Sequence, residues 1–162
     1  MAQDYFLKIA GVDGESADVH HKTEIEVESF GWGETVAVAP GGGGSGAAAG
    51  KVQPQMFNFV KKVDKSSPVL MQACATGQHF KSAVLTTRKA GASQQDYMKI
   101  TMEDVFITSY HVSGSSYGDF APIDHLSMNF VRLEVSYKEQ KPDGSLGTET
   151  KAKYDFALRK VV

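Results

Sequence analysis

Gly114-Ser115-Ser116-Tyr117-Gly118 carries the G-x-S-x-G spacing that presents a nucleophilic serine in many hydrolases. That chemistry needs a sharp strand-to-helix turn that lifts the hydroxyl above a parallel sheet, whereas Asp119-Phe120-Ala121-Pro122 runs on as loop into another strand pattern. Ser116 therefore reads as part of a plain Gly/Ser loop. Gly46-Ala47-Ala48-Ala49-Gly50-Lys51-Val52 comes near a phosphate loop, but it is one residue short between the glycines. It also lacks the Ser or Thr after Lys51 that would hold magnesium. Gly41, Gly43 and Gly46 fit G-x-G-x-x-G, as any glycine tract does, with no strand–loop–helix setting to aim a phosphate at a helix N-terminus.

His20, His21, His79, His111 and His125 fall on separate segments without the cysteine or carboxylate spacing of a zinc or iron site. The adjacent His20-His21 reads as a solvated loop pair. Glu24, Glu26 and Glu28 alternate along one strand face, where three acids could hold a cation, but a solvated or subunit-facing stripe is the simpler reading. Cys74 is the only cysteine, so it makes no internal disulfide, and its place on an apolar stripe makes it a small buried side chain in a reducing compartment. Nucleophile, base and oxyanion donor nowhere converge. No enzymatic activity, metal or cofactor is expected.

Composition narrows the class. Residues 1–162 form one domain by length, enough to bury about 68–70% of the surface an unfolded chain exposes. Hydrophobic residues make up 41% and no apolar run approaches the roughly 20 residues of a spanning helix, so no membrane insertion is expected. Lys and Arg total 17 against 19 acids, a field too weak and of the wrong sign to attract nucleic acid. Met1-Ala2-Gln3-Asp4-Tyr5 has no basic region leading into an apolar stretch, so the expectation is synthesis in the cytoplasm without a signal peptide.

One helix is expected among strands. Ser67 can cap it, Pro68 suits its first position and Gly77 offers a left-handed stop. Val69, Leu70, Ala73 and Cys74 form its apolar stripe, with Met71 on the flank, and a sheet must supply the surface it lies on. Strands are expected over residues 5–9, 23–38, 52–63, 79–89, 97–112, 123–137 and 154–158, separated by turn chemistry such as Asp13-Gly14 and Asp143-Gly144. Phase changes in the alternation place bends near Ser29 and around Glu103-Asp104. Several strands are apolar on both faces, so a β-sandwich or barrel whose outer faces are covered by other copies follows.

The tract Gly41-Gly42-Gly43-Gly44-Ser45-Gly46-Ala47-Ala48-Ala49-Gly50, after Pro40, has little side chain to bury and high backbone entropy. It reads as a loop, flexible when the domain is alone, that orders against a neighbouring copy.

Phe57-x-Phe59-x-Lys61-x-x-Asp64-x-x-Ser67-Pro68-x-Leu70 is followed in order by Gly77-x-His79-Phe80, Thr87-Arg88-Lys89-Ala90-Gly91, Gln95-x-Tyr97, Leu126-x-Met128-x-Phe130 and Tyr137-x-x-Gln140-Lys141-x-Asp143-Gly144. In order and spacing the chain resembles the Hcp family, the haemolysin-coregulated proteins of bacterial type VI secretion, from Tyr5-Phe6-Leu7-Lys8-Ile9 to Tyr154-Asp155-Phe156. The resemblance implies a mainly β fold, a two-sheet β-barrel or sandwich with one short flanking α-helix, similar to phage tail tube proteins. It implies a homohexameric ring, and stacked rings forming the inner tube that a contractile sheath expels behind a spike protein. It also implies no catalytic centre, and a lumen that carries and protects secreted effector proteins. Residues 40–50 correspond to an extended loop reaching neighbouring subunits or the next ring. Members carry Glu-Asn or Glu-Asp where this chain has Asp124-His125. The competing readings are a phage-type tail tube protein and a monomeric ligand-binding β-barrel whose two-faced strands line an apolar cavity.

Overall fold

The computed structural model describes residues 2–37, 50–89 and 94–162. In chain order, β1 (Gln3–Ile9) is followed by three short strands, β2 (Ile25–Val27), β3 (Ser29–Gly31) and β4 (Glu34–Val36). Then come β5 (Val52–Pro54), β6 (Phe57–Lys62), the helix α1 (Ser66–Thr76), β7 (His79–Lys89) and β8 (Asp96–Ser113). The chain closes with β9 (Ile123–Asn129), β10 (Arg132–Gln140), β11 (Leu146–Asp155) and β12 (Lys160–Val161). Residues 41–49 of the glycine tract, and residues 90–93 of the turn between β7 and β8, lie outside the described residues.

Two bends divide the strands into two packed leaves. β8 pairs with β7 along one edge; its other edge pairs first with β10 over residues 98–103 and then with β9 over residues 106–113. The change of partner falls at Asp104, whose φ of +55° is the left-handed backbone that a short polar residue tolerates. There the buried set shifts from Ile100 and Met102 to Val105 and Ile107, the phase change expected from the sequence. The second bend lies between β2 and β3, where Glu28 donates its N–H to Val60 O at 2.8 Å. β2 pairs with β1 while β3 pairs with β6. One leaf therefore runs β12-β11-β10-β8-β7-β1-β2, and the other runs β3-β6-β9 onto the far half of β8.

The fold is mainly β, a two-sheet sandwich with one flanking helix. Leu7, Phe57, Phe59, Leu85, Met102 and Met128 fill the space between the leaves. At about 25 cal/mol per Å² of apolar surface, each contributes roughly 1.5–3 kcal/mol on burial.

Several expected boundaries differ. Residues 23–38 and 52–63 break into shorter strands because β4 and β5 leave the main sheet and pair only with each other. The strand expected to span residues 123–137 breaks at Phe130-Val131, since β9 belongs to one leaf and β10 to the other. Leu158 is not in the last strand. Asp155 accepts its N–H at 2.8 Å, forming a turn that leaves the side chain exposed.

The helix ends as its glycine dictates: Gly77 has φ +68° and donates its N–H to Ala73 O. Its start differs from the expected Ser67 cap. The helix begins at Ser66 after Lys65, which makes no side-chain cap, and Pro68 is the third helical residue, still in the first turn where a missing N–H costs nothing. Asp64 accepts the Ser66 N–H at 2.9 Å, and Ser67 Oγ accepts the Asp64 N–H at 3.1 Å. Ser67 is drawn inward by charged partners described below. That anchoring turns the buried face onto Ser66, Ser67, Leu70 and Ala73, leaves Val69 and Met71 exposed and Cys74 half-buried, and lays the helix against β8.

Candidate functional site

Lys61 and Asp124 are direct cross-strand partners on β6 and β9, and both are 0% exposed. Period-two alternation puts them there: Lys61 follows Phe57 and Phe59 on the inward face, and Asp124 precedes Leu126 and Met128 on theirs. Lys61 Nζ lies 2.9 Å from Asp124 Oδ2, 2.8 Å from Asp64 Oδ1 and 2.8 Å from Ser67 Oγ. Ser67 Oγ donates to Asp124 Oδ2, and the Tyr110 hydroxyl donates to Asp124 Oδ1 at 2.8 Å. Burial pushes the Asp124 carboxyl up, but hydrogen bonds from Ser67, Lys61 and Tyr110, with the Lys61 charge, outweigh it and hold the group below its usual range. This cluster fixes the start of α1 to both β6 and β9.

Tyr110 feels the opposite pressure. Burial first, then the adjoining Asp124 carboxylate, push its phenol up to about 12. An unfolded tyrosine ionises near 10, so the unfolded state releases this proton first as pH rises. The contribution is intact below pH about 10 and is lost as pH climbs through about 12. Urea midpoints measured between pH 9 and 12 should fall more steeply for the wild type than for Tyr110→Phe, and parallel curves would remove the assignment.

At the Gln3 end of the first leaf, β1, β2 and residues 15–18 border an open groove of about 600 Å³. Asp4, Glu15, Asp18, Glu26, Glu28 and Asp64 line it, against the cations Lys62 and Arg88. Arg88 is buried, with Nη2 2.6 Å from Asp18 and 3.4 Å from Asp4, while its Nε and Nη1 have no acceptor among the described residues. The guanidinium holds the Asp18 carboxyl far below the ordinary aspartate range, and Asp18 in turn raises Arg88. The Arg88 guanidinium lies 4.8 Å over the centre of the Phe6 ring, and His21 stacks on Phe6 with ring centres 4.3 Å apart. Val27 and Val63 give the groove an apolar floor.

His21 departs from the expected solvated pair. His20 is exposed, but His21 is buried with Nδ1 3.0 Å from Glu24 and Nε2 3.1 Å from Asp96. The acid stripe divides accordingly: Glu24 turns to His21, while Glu26 and Glu28 border the groove. Glu24 is a local partner three residues away, but the contact that completes the burial comes from Asp96, 75 residues from His21. Lys61 and Asp124 did carry a signal, as opposite charges in phase with the core on two strands.

The strand register puts a different surface at the other end. Gln3 pairs with Lys89 and Ile9 with Ala83, so the Ala83, Met102 and Leu133 ends of β7, β8 and β10 lie away from the groove. Arg132 pairs with Asp155 there, so the turn from Phe156 to β12 projects from this far end. Trp32, Phe130 and Phe156 pack as an aromatic cluster beneath it. Leu158, Arg159, Lys160 and Val161 are exposed on it. Arg159 and Lys160 have no carboxylate partner among the described residues.

Ser116 lies on the loop between β8 and β9, where no helix follows, so the serine-hydrolase turn is absent from that segment. Gly50 is described and packs against Ala37, whose carbonyl a Cβ would meet at 1.9 Å. Among the described residues no group of three or more His, Cys, Asp or Glu side chains is set to hold a metal ion. No helix among them is long and apolar enough to cross a membrane.

Known proteins share this fold and sequence pattern. The family model described as "Type VI secretion system effector, Hcp" matches residues 6–137. Protein hcp1 of Pseudomonas aeruginosa is 43% identical over 146 residues, spanning 90% of this chain and 89% of that protein. The crystal structure of Hcp1 from Salmonella typhimurium aligns over 100% of both chains with a TM-score of 0.81 and 33% identity. A structure of a type six secretion system protein aligns at 0.94 with 26% identity, over 99% of this chain and 100% of that one. With the family model spanning residues 6–137 and the P. aeruginosa relative 43% identical over 90% of the chain, the chain belongs to the Hcp family of type VI secretion proteins.

Proposed function

We propose that the chain is the structural subunit of a type VI secretion tube: six copies close into a ring, rings stack, and the tube is expelled with effector proteins carried in its lumen. It has no catalytic role, and its partners are its own copies, sheath, spike and effectors. It is made in the cytoplasm and leaves through the secretion system, with residues 41–50 reaching the neighbouring copy or ring.

The observation that carries this reading is the mismatch of the two ends of the sandwich. A groove rich in carboxylates over an apolar floor lies at one end, and Leu158, Arg159 and Lys160 project from the other. Surfaces that complement each other from opposite ends of one chain join head to tail, and such contacts either close into rings or continue without end. Charge attraction of this kind speeds and orients encounter, and salt screens it.

Glu26→Lys with Glu28→Lys makes the groove basic, and Arg159→Glu with Lys160→Glu makes the far corner acidic. Each double variant alone should assemble at least about tenfold more weakly, which corresponds to about 1.4 kcal/mol. An equimolar mixture should recover assembly, because in alternation the intact groove meets the intact corner and the basic groove meets the acidic corner. Sedimentation velocity reads both effects. Wild-type assembly by each variant alone would remove this contact, and a wild type that stays at 17.5 kDa at high concentration would remove the tube reading itself.

A further inference from the structure

On the outer face of the second leaf, His111 of β8 and His125 of β9 stand directly opposite each other in register. Their ring centres are 6.2 Å apart, with planes inclined at 53°. Alternation fixes their direction: Asp124 and Leu126, on either side of His125, are buried, so His125 faces outward, and His111 is exposed beside it. The two rings border a shallow depression of about 270 Å³ with Ser109, Ser127 and Asn58. His21 and His79 are each engaged by carboxylates, whereas His111 and His125 have no hydrogen-bond or ion-pair partner among the described residues.

We propose that His111 and His125 form a two-imidazole clamp for a borderline divalent cation of the Zn²⁺, Ni²⁺ or Cu²⁺ class. Opposed residues in an antiparallel pair hold their Cβ atoms about 4.5–5.5 Å apart, so two imidazoles on such a pair converge on one point. A metal at about 2.0–2.1 Å from one nitrogen of each ring leaves the ring centres about 5–6 Å apart, which small side-chain rotations reach from the present spacing. Imidazole nitrogen selects this class over Mg²⁺ and Ca²⁺, which require oxygen ligands. Water completes the coordination, because two rings offer two donors. The strands fix both ligands in advance, so removing one ring leaves a single donor and loses the chelate.

The clamp does not depend on tube assembly. Binding is read by isothermal titration of untagged protein with CuCl₂, NiCl₂ and ZnCl₂, with MgCl₂ as the oxygen-preferring control. The expected result is one metal per chain, tightest for Cu²⁺, with affinity falling at least about tenfold in His111→Ala and in His125→Ala and unchanged in His20→Ala. The thermal midpoint should rise by about 5 °C or more at a hundredfold excess over Kd in the wild type, and the rise should vanish in both clamp variants. No binding by the wild type, or wild-type affinity in His111→Ala or His125→Ala, would overturn the assignment.

Discussion

Asp124→Ala is expected to lower the folding stability by about 3–5 kcal/mol, because it strands the Lys61 ammonium in the interior with one of its two carboxylate partners gone. Lys61 is 0% exposed, so water cannot replace the lost partner, and the Tyr110 and Ser67 hydroxyls lose their acceptor in the same step. The helix start depends on Ser67, so Leu70 and Ala73 lose their fixed seat as well. Replacing both charges, as Lys61→Met with Asp124→Leu, should cost less than the two single changes added together, by about 0.5–3 kcal/mol, because neither charge is then left alone. Acid tests the same cluster. The folded Asp124 carboxyl lies below its ordinary value of 3.8, so its contribution is complete above that pH and is lost as pH falls through the lower folded value. Asp124→Asn should lack that part of the acid slope. Urea unfolding at one protein concentration, so that assembly raises the apparent stability of every variant alike, is the measurement. A loss below about 1 kcal/mol for Asp124→Ala would mean the charges are not buried together.

What the sequence revealed of this fold follows from the range of the interactions involved. The bends at Glu28 and Asp104 were legible because a strand that changes leaf must change the parity of its apolar residues, and parity is local. Gly77 was legible because left-handed backbone selects glycine. The helix face was not, since Val69 and Cys74 fit an apolar stripe as well as Leu70 and Ala73 do. The choice was made by Asp124, which is 57 residues from Ser67 in the chain. His21 was misread for the same reason, being held by Asp96 and Phe6. The breaks that free β4 and β5 depend on what those strands fail to pair with, and single-strand alternation cannot express that. Of the candidate surfaces, the glycine tract was visible from composition, whereas the acid groove gathers Asp4, Asp18, Glu26 and Arg88 from distant segments.

Removing residues 41–50 and closing the hairpin through Asn-Gly is expected to leave rings intact and to stop their growth into tubes. The main sheet has no stake in this arm: β4 and β5 pair only with each other, and every residue of β4 is exposed. Val36 faces Val52 across the base of the hairpin, and Gly50 lies against Ala37, so the chain leaves and returns at one place. Residues 37–40 and 51, together with Asn-Gly, then bridge Val36 and Val52, and Asn-Gly supplies the positive φ that a chain reversal there needs. The thermal midpoint should therefore hold, and so should any ring contact made by the body of the sandwich. What the deletion removes is a segment of Gly, Ala and one Ser, whose composition offers little side chain to bury. Fixing its backbone costs about 1–2 kcal/mol per residue, which only a contact with another copy can offset. On the proposed tube that cost would keep each ring-to-ring contact weak, so that rings stay separate until one is added to a growing end, and an end without the segment would have nothing to capture the next ring. Negative-stain images and sedimentation at the concentration where the wild type forms tubes decide the matter. Tubes of wild-type length from the shortened chain would assign stacking to the body of the subunit, leaving the glycine tract without a part in it.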